Sequence, residues 1–130
     1  MAYTVTSNLL ATIVATDSNN NQVINRSLGN SFLFAGSAGD FISGQPIPNA
    51  DTPITLPISP ARFVYVKHAG TAGVLTVKWT PNGVAEVLVA ELNPGAALIL
   101  WDAGATNPGI TSLKLNQGTA SQPVEYYLGG

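Results

Sequence analysis

Hydrophobic and polar positions alternate in only part of this chain. Leu75, Val77 and Trp79 alternate with Thr76, Lys78 and Thr80, and Thr111, Leu113 and Leu115 alternate with Ser112 and Lys114. That period of two predicts strands with one buried and one wet face. The full pattern predicts strands at Leu9–Thr16, Gln22–Leu28, Ser31–Ala35, Ile54–Leu56, Arg62–His68, Val74–Trp79, Val84–Glu91, Ala96–Trp101, Thr111–Leu115 and Val124–Leu128, with a short one at Tyr3–Thr6. Turn-forming sets separate them: Ser18-Asn19-Asn20-Asn21, Gly70-Thr71-Ala72-Gly73, Pro81-Asn82-Gly83, Asn93-Pro94-Gly95, Asn107-Pro108-Gly109 and Gln117-Gly118. Windows free of Pro and Gly are rich in β-branched residues or Asn, so no helix is predicted. The expectation is an all-β antiparallel sandwich of about eight to ten strands, one domain over 1–130.

Several strands are apolar on both sides. Phe63 and Tyr65 oppose Val64 and Val66; Leu98 and Leu100 oppose Ile99 and Trp101; Leu9 and Ile13 oppose Leu10 and Val14. The outer face of a sandwich strand is wet unless something covers it. A loop of the same chain is one candidate cover and a second subunit is the other. Charge content favours the subunit. Only five basic and seven acidic residues occur in 130, while 45% are hydrophobic. Soluble domains carry about a quarter charged residues, and so few leave little to keep identical copies apart.

The segment Gly36 to Pro53, GSAGDFISGQPIPNADTP, shows no clear strand and reads as a long loop. It carries Phe41, Ile42 and Ile47, which either tuck into the core across the end of the sandwich or form an arm on another protein. The five basic residues are scattered, so no nucleic-acid stripe is expected. The N-terminus has no signal-peptide pattern, and no run is long enough for a membrane helix.

Candidate chemistry is sparse. There is no cysteine, which excludes disulfides and thiolate metal sites. The one histidine, His68, ends a strand beside a turn and reads as a solvated ring; no serine stands in a nucleophile elbow. Asp17-Ser18-Asn19-Asn20-Asn21 opens like a calcium loop, but Gln22 and Leu28 stand where glycine and glutamate are needed, so a polar hairpin turn is the better reading. Glu86 and Glu91 lie an odd number of residues apart, on opposite faces of the predicted strand. No enzyme, metal or cofactor is expected. Trp79 reads as core, and of the adjacent Tyr126 and Tyr127 one points in and one out.

The stretches FVYVKHAGTAGVLTVKW, VLVAELNPGAALILW and ITSLKLNQGTASQPVEYYL resemble a group of small β-sandwich structural proteins of tailed bacteriophages. Val66-Lys67-His68, Leu92-Asn93-Pro94-Gly95 and Val124-Glu125-Tyr126-Tyr127-Leu128 hold the matching turns and strands, with His68 in place of the usual Asn. The resemblance covers roughly the last seventy residues. It implies a jelly-roll capsid decoration (cement) protein without catalytic residues. Such a protein is made in the host cytoplasm, is usually a homotrimer, and sits on the outer capsid surface of the virion, bridging major capsid protein subunits. On that reading Leu98, Ile99, Trp101 and Tyr127 form the oligomer interface, and Tyr3, Val5, Phe41, Ile42 and Ile47 touch the capsid. The alternatives are a tail or head-fibre module contacting the host, and a carbohydrate-binding module using Trp101 and Tyr127.

Overall fold

A computed structural model describes the backbone of residues 3–36, 39–102, 106 and 108–130, and side chains in the same ranges apart from 3–13, 23–36 and 101. Ten strands and no helix occur among the described residues. They are β1 (Tyr3–Thr16), β2 (Gln22–Gly36), β3 (Gly39–Ile47), β4 (Thr52–Ile54), β5 (Phe63–His68), β6 (Leu75–Pro81), β7 (Val87–Leu92), β8 (Ala97–Trp101), β9 (Ile110–Gln117) and β10 (Gln122–Gly129). The chain divides into two compact units, the β1–β2 hairpin and the remainder from Ser37 onward.

The second unit is a sandwich of two four-stranded antiparallel sheets, β3-β10-β5-β8 and β4-β9-β6-β7. Strands from the start of this unit pair with strands from its end: β3 with β10, β4 with β9, β5 with β8, β6 with β7. Nested pairing of that kind, alternating between two sheets, is the jelly roll. The core lies between the sheets. Val64 and Val66 of β5 and Val124, Tyr126 and Leu128 of β10 face Leu75, Val77 and Trp79 of β6 and Leu113 and Leu115 of β9. Each fully buried aliphatic side chain there stabilises the fold by about 1.5–3 kcal/mol over leaving it in water.

The segment expected as a loop holds two strands. β3 is an edge strand paired only with β10, and its punctuation is local. Between the pairs Gln45↔Val124 and Ser43↔Glu125 one residue is extra, Gly44, at φ 76°. This bulge requires the left-handed conformation that glycine tolerates. Pro46 stands opposite Pro123, whose carbonyl accepts from the Ala69 N–H on the other side. The polar backbone groups of Pro123 therefore face β5, and Pro46 turns its nitrogen to the open edge, where no ladder bond is lost.

The first unit is a ribbon. β1 and β2 pair from Tyr3↔Gly36 to Thr16↔Gln22, with a register shift between Ala15 and Thr16, and the pairing runs through Gly29 and Asn30, which the pattern reads as a break. The turn is closed by Asp17: its carboxylate accepts from the Asn19 N–H (2.8 Å) and the Asn21 N–H (3.0 Å), with Asn20 at φ 63°. Those backbone donors hold the Asp17 carboxyl below its usual range. Its lone pairs are committed to its own turn.

Candidate interaction surface

The two outer faces of the sandwich differ in chemistry. On β4-β9-β6-β7 the outward positions of β6 and β9 are Thr76, Lys78, Thr80, Ser112, Lys114 and Asn116. They are tied together by polar contacts. Lys78 meets Asp51 at 2.8 Å, Asn116 donates to Asp51 at 2.8 Å, Lys114 meets Glu86 at 2.6 Å, and the Thr80 and Ser112 hydroxyls lie 2.7 Å apart. The hydrogen bonds from Lys78 and Asn116 hold the Asp51 carboxyl below its usual range, and the Glu86 partner raises Lys114. β7 departs from this pattern: Leu88, opposite Lys78, is 58% exposed.

The outer face of β3-β10-β5-β8 is different. Phe41, Tyr127, Tyr65 and Ile99 stand opposite one another on four successive strands and form one row across the sheet. Phe41 is 57% exposed and Ile99 is 40% exposed, while the two tyrosines are half-buried. The next row is Gly129, Phe63 and Trp101. Gly129 has no side chain, and the Tyr127 ring lies over it: a Cβ placed there would come within 2.8 Å of Oη. The same ring meets Phe63 edge to face, with centroids 5.6 Å apart and planes at 69°. Aromatic pairs in that arrangement contribute about 0.5–1.5 kcal/mol beyond their area, so Tyr127 is held in place. The row on the other side is Ser43, Glu125, Lys67 and Ala97, polar except for the last. Tyr65 Oη donates to Glu125 Oε1 at 2.8 Å, and Ser43 Oγ donates to the same carboxylate at 3.5 Å. Burial, then the bond to Glu125 and its charge, push the Tyr65 hydroxyl up to about 12.

The expected contact residues divide between the two faces of this sheet. Ile99 and Tyr127 lie on the outer face, and Trp101 shares their alternation, its side chain lying outside the described residues. Leu98 packs against the core instead, as the neighbour of Ile99 on an alternating strand must. Phe41 is outward, whereas Ile42 packs against the core and Ile47 is fully buried within it. Neither Ile42 nor Ile47 is placed to meet a capsid, because the segment that carries them is a paired strand with an inner face. Tyr3 and Val5 sit on β1, opposite Gly36 and Phe34, with side chains outside the described residues. Tyr65 and Phe63 also stand on this side of the sheet, Tyr65 half-buried and Phe63 covered, and only the sheet order brings them beside Tyr127.

His68 also departs from expectation. Its ring is fully buried, Nδ1 accepting from the Gly70 N–H at 3.1 Å and Nε2 lying 3.3 Å from the Gly73 carbonyl. The ring therefore braces the β5–β6 loop as the Nε2–H tautomer, donating to Gly73. Glu86 precedes β7 and pairs with Lys114, while Glu91 is exposed. Among the described residues no group of three His, Cys, Asp or Glu side chains converges. In comparisons with protein-family models, curated proteins and solved structures, nothing matches this chain.

Proposed function

We propose that this chain is a capsid decoration protein of a tailed bacteriophage, bound to the outside of the shell as a homotrimer and stabilising it by bridging major capsid protein subunits. One observation carries the reading: the aromatic and aliphatic row Phe41–Tyr127–Tyr65–Ile99 runs across one face of a charge-poor jelly roll whose other face is polar along β6 and β9, with Leu88 of β7 exposed beside them. Contiguous apolar surface rimmed by polar groups marks protein contact sites. The row runs from one sheet edge to the other, so two neighbours can share it. On this proposal the β8 end, with Ile99 and Trp101, meets another copy, and the β3 end, with Phe41, meets the shell. Burial of the row across a joint would resist its opening, since exposing apolar area costs about 25 cal/mol per Å².

The test is co-sedimentation with capsids of the encoding phage assembled without this protein. The wild-type chain is expected to pellet with the shells and raise their rupture temperature, while Phe41→Ser is expected to stay in the supernatant with its fold intact. Failure of the wild-type chain to bind such shells would sink the proposal. Tryptophan fluorescence against a panel of polysaccharides then separates the sugar-binding alternative, which requires a response.

A further inference from the structure

Three of the four sheet edges of the sandwich carry a device that hinders another strand from joining. β3 has the Gly44 bulge and Pro46. β4 is three residues long with Pro53 at its centre. β7 carries Glu91 and a register shift against β6 that leaves Val89 as an extra residue. Proteins blunt exposed sheet edges in these ways. β8, ALILW, has none of them. It holds no proline, glycine or charge, and it pairs with β5 without interruption from Lys67↔Ala97 to Phe63↔Trp101. It is also the last strand of its sheet.

The ladder fixes which backbone groups of β8 are left over. The His68 N–H donates to the Ala96 carbonyl at 3.0 Å, and the Asp102 N–H donates to the Arg62 carbonyl at 2.9 Å. These bonds bracket the β5–β8 pairing, and bonded pairs in an antiparallel ladder fall on alternate residues. Ala96, Leu98, Leu100 and Asp102 therefore turn their N–H and C=O toward β5. Ala97, Ile99 and Trp101 turn theirs to the open edge, and among the described residues nothing bonds to Ala97 or Ile99 on that side.

We propose that β8 is a strand-pairing edge, and that its occupant is β8 of a second copy of this chain, antiparallel about a twofold axis at Ile99. A strand added here must be apolar on both faces. Its outward side chains continue the row that ends at Ile99, which is 40% exposed, and its inward ones meet Leu98 and Leu100, which pack against the core yet stay half-buried. β8 is itself such a strand. With Ile99 opposite Ile99 of the second copy, Leu98 meets Leu100 and Ala97 stands opposite Trp101. The three outward-facing residues of each strand then exchange two hydrogen bonds per pair, and no leftover group lacks a partner. Asp102, the charge nearest in sequence, falls opposite Ala96 of the second copy, so no like charges meet. A twofold pair cannot close a trimer. On a shell this edge therefore joins copies of neighbouring trimers, and the inference does not rest on the decoration reading.

The experiment is disulfide trapping of the purified full-length chain. It contains no cysteine, so a single introduced cysteine can bridge only to another copy. Hydrogen-bonded antiparallel partners have Cα atoms about 5.5 Å apart, inside the ~4.4–6.8 Å range of disulfides. Ile99→Cys, oxidised with glutathione disulfide in dilute solution, is expected to give a covalent dimer of twice the 13.4 kDa chain. Ala97→Cys is the register control. Its two copies stand four positions apart along the pair, or ~13 Å, and it is expected to stay a single chain on a denaturing gel. Ser112→Cys, on the polar face of the other sheet, is expected to do the same. Ala97→Pro in the Ile99→Cys chain removes an outward N–H and no bond to β5, and is expected to slow trapping by roughly tenfold or more with the thermal midpoint unchanged. Absence of an Ile99→Cys dimer overturns the proposal, as do Ala97→Cys dimers formed as fast or trapping that the proline leaves untouched. Shell binding is scored separately. A trapped pair that ignores shells retains this inference and refutes the decoration reading, while a shell-binding chain that never traps does the reverse.

Discussion

Replacing His68 tests whether its ring acts as a structural brace. The ring is fully buried and serves two backbone groups of the β5–β6 loop, the Gly70 N–H and the Gly73 carbonyl. His68→Ala strands both. A buried donor or acceptor left unpaired costs about 1–3 kcal/mol, and the cavity left by the ring adds to that. Gly70 is only half-buried and water can reach part of it, so the lower half of each range applies. The two unpaired groups together cost about 2–4 kcal/mol, and the cavity comes on top. His68→Asn differs in a useful way. Its amide oxygen can stand close to where Nδ1 stands, keeping the Gly70 bond and losing the Gly73 one, so about half the cost, ~2 kcal/mol, is expected. Urea unfolding at fixed protein concentration, followed through tryptophan emission, reads the difference as a midpoint shift at constant slope. Equal costs for Ala and Asn, or a cost below about 1 kcal/mol for Ala, would refute the brace and leave the ring as filler.

Two further outcomes follow from the geometry. Gly109 sits at φ 78°, and a Cβ there would lie 2.1 Å from the Ala61 carbonyl oxygen, which is bonded to the Ile110 N–H. Gly109→Ala is therefore expected to destabilise by about 3–5 kcal/mol, combining backbone strain with overpacking; a thermal midpoint within a few degrees of wild type would contradict it. Tyr65 makes stability pH-dependent at the alkaline end. Its raised value means that the fold favours the neutral hydroxyl, a contribution complete below the ordinary value of 10.0 and lost as pH rises toward about 12. The wild type should lose stability more steeply than Tyr65→Phe across that window in parallel denaturant titrations, and identical slopes would remove Tyr65 from the account.

The fold class was legible because its signal is local. Leu75-Val77-Trp79 and Leu113-Leu115 alternate with polar residues, and both strands do bury those positions. The segment containing β3 was not legible, because each feature that disguised it is an edge-strand device. Gly44 serves a bulge, Pro46 faces an open edge, and alternation across both residues looks broken until β10 is laid beside it. Thr111 misled in a similar way: a register shift at Thr80/Pro81 places Ile110 inside and Thr111 at the surface. The ribbon shows the same limit from the other side. β1 alone reads as apolar on both faces, since Leu9 and Leu10 and then Ile13 and Val14 divide between them. Its partners decide otherwise. Leu9 stands opposite Asn30 and Leu10 opposite Gly29, neighbours that only the register names. Faces belong to sheets, and one strand's sequence contains only half of each.

That distinction bears on where function can reside. A strand apolar on both sides can be a central core strand, a subunit contact, or one half of an amphipathic ribbon, and the three look alike in sequence. β5 and β8 are separated by what stands opposite them. Val64 and Val66 meet the second sheet across the core, and Tyr65 and Ile99 stand outward in the row that ends at Phe41. The polar alternative was open to the same fold, since β6 and β9 of the other sheet fill their outer positions with Thr, Lys, Ser and Asn, and of their neighbours only Leu88 breaks the run with a large exposed aliphatic chain. A sheet whose outer face serves only as a wall needs no aromatic row, and exposing one lowers solubility without adding to the core. The contrast between two outer faces of one domain is therefore a stronger argument for a contact surface than the hydrophobicity of any strand. It also gives the argument a control within the molecule: charge placed at Ser112 on the polar face should leave assembly intact, whereas charge at Ile99 should not.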